Sequence, residues 1–327
     1  MRKMADLRFN PKNRSRRQMI DRTYPCRISR FLDAYGIPNV LWGELVMNIF
    51  LIPLEANGIY FVIPDKHIDK ARDLLLEAGF PPCQLGKYCG FDHPNSCHGI
   101  PYAHFNIVDL SPLDCYKPEQ YSLNPREWYT LELYKKSKLL WGAPEIPLGI
   151  PPVNDPDYWT VKDKRLPKVA IEFQRGRVVD ADYLVKIPSL ARYAELLTLL
   201  FFRDNHLEET IRGLQWDTLL DDMEVVMDEH RLFKLEDLPP RTRSWFKILT
   251  ETPRERTHGD AEERFGAEMR EAGEVPEKSP WPLEAIMPAG WREELKEYDE
   301  MMKKKKEEEE EEQMRKKEEE VKEEQNA

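Results

Sequence analysis

No uninterrupted apolar run in this chain approaches the roughly 18 residues a membrane-crossing helix needs, so no membrane partner is expected. Cysteine is scarce, at five in 327 residues. Those thiols lack the tight paired spacing of a strong zinc motif. Gly86, Gly90 and Gly99 do not form a phosphate loop, and neither a Walker nor a dinucleotide fingerprint occurs. No apolar stretch follows the basic residues near Met1, so a secretory signal is not expected there. Few thiols and no signal together imply a reducing compartment, the cytoplasm by default and the nucleus as the alternative.

The apolar content, 41%, is ample for a buried core, and the charged content, 33%, is high. The net charge is −11, of which residues 292–324, with 16 acidic and 10 basic side chains, carry −6. The remaining body is only mildly acidic, which argues against a general nucleic-acid-binding surface. Residues 1–27 form a basic leader read as disordered, with nuclear targeting or contact with a polyanion as the alternative. Residues 293–327 form a Glu/Lys-rich tail without a sustained apolar seam, so a coiled coil is not specified. Its Glu311–Arg315, Glu312–Lys316 and Glu318–Lys322 pairs have the favourable order for a solvated helix. That tail is a candidate contact for a protein partner.

Periodicity between these ends predicts an α/β fold. Helical spacing over 28–35 ends at Gly36; a short apolar run over 39–43 reads as a buried strand; 44–51 reads as a buried helix. Residues 58–63 (GIYFVI) are the strongest strand signal in the chain, followed by an amphipathic helix over 65–79 with Asp65 as its N-cap. A further strand is expected over 103–108, and 128–140 reads equally as helix or strand. Five prolines between 144 and 156 mark a surface loop. Residues 169–179 suggest a hairpin. Helices are expected over 189–203, 213–230 and 235–249, and 251–292 reads as a linker in which Trp281, Ile286, Met287 and Trp291 can dock on the body. The expected organisation is thus leader, α/β domain over 28–185, helical subdomain over 186–250, linker and tail.

Cys83, Cys89, Cys97, His98 and His104 are close in sequence and include zinc-ligand types, but their spacing favours incidental thiols. Trp42, Trp128, Trp141 and Trp159 can line a base-stacking pocket or simply pack.

Residues 40–83 (VLWGELVMNIFLIPLEANGIYFVIPDKHIDKARDLLLEAGFPPC) resemble the nucleotidyltransferase, or polymerase-β-like, superfamily, in particular its divergent fungal members. Trp42-Gly43-Glu44 matches the superfamily's glycine turn, 58–64 its carboxylate strand, and 186–204 the helical part that follows. The resemblance implies a nucleotidyltransferase-like mixed sheet and a nucleotide as ligand, with Trp42, Gly43, Glu44, Tyr60, Asp65 and Asp109 around the site. In active members two acids stand two apart on that strand and hold Mg²⁺. Here the matching positions are Gly58 and Tyr60, neither of which binds a hard cation. Asp109 is the counterpart of the third carboxylate. The expected function is therefore a degenerate nucleotidyltransferase that binds a nucleotide or similar ligand without efficient transfer. The alternatives are a protein-interaction module, or an active Mg-dependent enzyme using Glu44, Glu55, Asp65 or Asp109 from displaced positions.

Overall fold

The computed structural model describes residues 22–54, 56, 58–83, 99–107, 130–168, 175–205, 210–251, 259–277 and 279–281. Helix α1 (Tyr24–Ala34) begins with Pro25 in its first turn, where a missing N–H costs nothing, and buries Cys26, Ile28, Phe31 and Leu32. Gly36 then takes a positive φ of 75° and stops it. Strand β1 (Val40–Trp42), helix α2 (Glu44–Ile49), strand β2 (Gly58–Ile63), a 3₁₀ turn (Asp65–His67) and helix α3 (Ile68–Glu77) follow in the expected order.

Strands β3 (Ala103–Asn106) and β4 (Thr130–Lys135) complete a mixed four-stranded sheet in the order β1-β2-β4-β3. β1 runs antiparallel to β2, β2 parallel to β4, and β3 antiparallel to β4. All six residues of β2 are buried, as an apolar central strand requires when both faces are covered. The ambiguous stretch 128–140 resolves into β4 and a one-turn helix, α4 (Lys136–Leu139). A second sheet pairs β5 (Tyr158–Thr160) antiparallel with β6 (Lys186–Pro188), and β6 lies beside β1.

Ser189 caps helix α5 (Leu190–Asp204) by accepting the Arg192 N–H. Helices α6 (Thr210–Asp228), α7 (Pro240–Glu251) and α8 (Gly259–Glu271) pack around it. The mixed α/β class is as expected. The helical segment is not a separate body: Tyr193 of α5 stacks on Trp42 of β1, with ring centroids 4.3 Å apart, inside one shared core. The stretch read as a linker holds α8, because Phe265 and Met269, four apart on one helical face, supply an apolar anchor that its charged average conceals. Of the hairpin expected over 169–179, residues 169–174 lie outside the described residues, and Val178 and Val179 join no strand. The basic leader up to residue 21 and the charged tail also lie outside them. No described helix is long and apolar enough to cross a membrane.

Two buried charge clusters tie these layers together. Asp33 of α1 accepts from Lys186 Nζ of β6 (2.9 and 3.1 Å), Tyr183 Oη (2.8 Å), Asn39 Nδ2 (3.1 Å) and the Gly149 N–H (3.1 Å). Lys186 is fully buried, and burial pulls its pKa down against the opposing pull of Asp33. At the end of α5, the guanidinium of Arg203 donates twice to Asp204 (2.7 Å each) and once to the Lys138 carbonyl (2.5 Å). Trp216 Nε1 of α6 donates to the same Asp204 at 2.9 Å. The Arg203 guanidinium also lies between the rings of Trp141 (4.6 Å) and Trp281 (4.9 Å), so Trp281 docks on the body as expected.

Removing one partner of a buried ion pair leaves an uncompensated charge. Lys186→Met is expected to cost about 3–5 kcal/mol in urea unfolding, and Asp33→Asn combined with Lys186→Met to cost less than Lys186→Met alone.

Candidate functional site

The glycine turn between β1 and α2 sets the geometry. Gly43 has φ 79° and ψ −154°, a conformation essentially reserved for glycine. A Cβ there would stand 2.4 Å from Cδ2 of Tyr60. A Cβ on Gly58 would stand 2.6 Å from Cε1 of the same ring and 2.8 Å from Thr130 Oγ1. The Tyr60 ring thus occupies the space that two absent side chains leave open, one contributed by the turn and one by its own strand.

Side chains two apart on a strand share a face. In register, Trp42 of β1 stands opposite Tyr60, Tyr60 opposite Glu132 of β4, and Glu132 opposite His104 of β3. Thr130, Glu132 and Tyr134 project together from β4, and Glu132 is 1% exposed. Its two oxygens accept from the Thr130 hydroxyl (2.6 Å) and the Tyr134 hydroxyl (2.5 Å). Burial, then the Glu132 carboxylate, push the Tyr134 phenol well above its ordinary range. Burial likewise raises Tyr193, followed by the charges of Glu44 and Asp222, while its hydroxyl donates to the Gly43 carbonyl at 3.4 Å. Trp42, Glu44 and Tyr60 are themselves buried. This row is a closed polar layer, with hydroxyl donors turned onto its central acid.

Of the residues expected at the site, Trp42, Gly43, Glu44 and Tyr60 come together around this layer. Asp65 does not. It sits beyond the end of β2, and it does not cap the helix that follows. Its carboxylate instead reaches across to the end of β4, accepting from Ser137 N (3.0 Å) and Ser137 Oγ (2.6 Å). Burial alone would raise its pKa, but the two Ser137 hydrogen bonds and the charge of Lys135 outweigh it and hold the group below the usual carboxylate range. Asp109 and Glu55 lie outside the described residues. So do Cys89, Cys97, His98 and Trp128. Cys83 offers its backbone N–H to the His104 carbonyl at 3.3 Å. Among the described residues, no three His, Cys, Asp or Glu side chains converge as a metal-ligand set.

Trp42, Trp141 and Trp159 do not line a common pocket. Trp42 stacks inside the core, Trp141 lies on Arg203, and Trp159 lies under Arg165 at 4.1 Å. The acid that reading the sequence missed is Glu132. Its signal was the period-two alternation of Thr130, Glu132 and Tyr134 with Leu131 and Leu133. A shallow depression of about 490 Å³ opens at the carboxyl ends of β2 and β4, lined by Pro64, Asp65, Lys66, Lys136, Ser137, Trp141 and Glu145. No family model, curated protein or solved structure matches the chain.

Gly43→Ala is expected to lower stability by more than the roughly 1–3 kcal/mol of backbone strain alone, and by less in a Tyr60→Ala background. A double-mutant cycle in urea reads this coupling directly. Asp65 has its folded pKa below its unfolded value. Its contribution is therefore complete above the unfolded pKa, near 3.9, and disappears as pH falls through the folded value. Ser137→Ala is expected to shift acid unfolding to higher pH and to leave neutral-pH stability less affected than Lys186→Met does.

Proposed function

We propose that this chain is a nucleotidyltransferase-like protein that has given up transfer chemistry and serves as a nucleotide-binding module. The observation that carries this reading is the Tyr60 ring seated between Gly43 and Gly58. In an active relative the two strand positions would present carboxylates toward a Mg²⁺ ion beside the glycine turn. Here one position has no side chain and the other carries an aromatic ring that fills the space. Glu132 lies on the parallel neighbour strand, opposite Tyr60. Its oxygens serve Thr130 and Tyr134 rather than an ion. Among the described residues no three His, Cys, Asp or Glu side chains form a ligand set, and Glu132 is committed to two hydroxyl donors, which does not suit a divalent ion with near-octahedral demands. Mg²⁺ is therefore not assigned as a cofactor of catalysis.

What supports ligand binding is the remaining architecture. The parallel pair β2 and β4 ends in loops held together by Asp65 and Ser137, with an open depression between them. Crevices at the carboxyl ends of parallel strands are where open α/β sheets bind their ligands.

Incubation with radiolabelled nucleoside triphosphates, Mg²⁺ or Mn²⁺ and nucleic-acid or protein acceptors is expected to give no label transfer. Transfer that disappears in Glu132→Gln or Glu44→Ala would defeat this proposal. Calorimetry with each triphosphate is expected to detect binding. No heat and no thermal shift with any of them would turn the reading to a protein-interaction module.

A further inference from the structure

We propose that the depression at the carboxyl ends of β2 and β4 is the seat of a nucleotide's phosphates, with Lys66 and Lys136 meeting the anion and Trp141 forming the apolar wall. This rests on the reading of the chain as a nucleotide-binding module and names the place where binding occurs, away from the buried glycine turn.

The lining sets two lysines, Lys66 and Lys136, against two acids, Asp65 and Glu145, and further lysines stand close by. Lys66, Lys135, Lys136 and Lys138 stand within the two strand-end segments. Of the two acids on the lining, Asp65 is occupied by the Ser137 N–H and hydroxyl. The other, Glu145, is 84% exposed and pairs at 3.8 Å with Lys136, whose largely covered side chain, 14% exposed, reaches the depression at its ammonium end. Lys135 is directed onto the ring of Tyr102, at 4.5 Å, whereas Lys66 is exposed on the rim and forms no ion pair among the described residues. His67 next door is pushed below its ordinary pKa by burial and then by Lys66 and Lys70, which is what a locally positive rim does to an imidazole.

The geometry is prepared rather than improvised. Asp65 fixes the loop after β2 against the start of α4, so the backbone positions of Lys66 and Lys136 are set by one side-chain bridge. Trp141 is held by its indole N–H, which donates to the Glu274 carbonyl at 3.2 Å, and by Arg203 on its ring. About 490 Å³ is within the range that accepts a mononucleotide. Lysine suits this role as a point charge for phosphate.

The test is titration of the full chain with ADP, adenosine and inorganic phosphate, followed by calorimetry and by tryptophan fluorescence. ADP is expected to bind, adenosine at least tenfold more weakly, and added salt to weaken ADP. Lys66→Ala with Lys136→Ala is expected to raise the Kd for ADP at least tenfold, with thermal unfolding unchanged within a few degrees. Trp141→Phe is expected to remove most of the fluorescence change while binding persists. ADP binding unchanged in the double-lysine variant would overturn the location while leaving the nucleotide-binding reading intact. Adenosine binding as tightly as ADP would overturn the phosphate role. No binding of ADP, nor of any triphosphate, would end both.

Discussion

A carboxylate in the middle of the sheet dictates how its polar face can be packed. Glu132 lies almost fully out of water, where an ionised acid without donors would cost several kcal/mol. The sequence places a hydroxyl two residues to either side, on the same face of the strand, and both donate to it. Hydrogen bonds to a charged group contribute roughly 1.5–3 kcal/mol each, so the site is tolerable only while Thr130 and Tyr134 keep their positions. Their positions depend in turn on the parallel register of β4 with β2 and on the ring of Tyr60 standing opposite. The glycine at 58 follows from that ring and from Thr130, and the glycine at 43 from the ring together with its positive φ.

The same logic recurs at the edges of the fold. Asp33 and Lys186 join α1 to β6 across the interior, with Tyr183, Asn39 and a backbone N–H completing the shell of donors around the acid. Arg203 and Asp204 do the same for α4, α5 and α6, with two indole rings stacked on the cation. In each case a buried charge is matched from several elements distant in sequence. Such a core prescribes one arrangement of layers more narrowly than apolar packing would, since a slipped element would strand a charge.

Local patterns made much of this legible. β2 announced itself by five consecutive β-forming residues, Ile59–Ile63, α3 by its apolar stripe, and the stop after α1 by Gly36, because each depends on neighbours in the chain. Residues 130–135 were ambiguous because threonine, leucine, glutamate, leucine and tyrosine suit either period over so short a run. Asp65 looked like a helix cap because its partner, Ser137, is 72 positions away and contributes no local signal. α8 was hidden in a charged average, since two anchoring side chains among thirteen are enough once α5 offers a surface. Of the candidate site, the cluster at 42–44 and 60 was readable from the glycine turn. Its central acid had only the alternation over 130–134, too short a run to separate strand from helix.

The seating of Tyr60 also orders the history open to this sequence. A carboxylate at position 58 is sterically inadmissible while the ring is present, because even a Cβ there meets both Tyr60 and Thr130. Exchanging Tyr60 for a smaller acid first would vacate the core and leave a second negative group beside Glu132, with position 58 still empty. Neither single step passes through a well-packed intermediate. The two positions are therefore coupled through the ring, and Thr130 bounds position 58 from the other side.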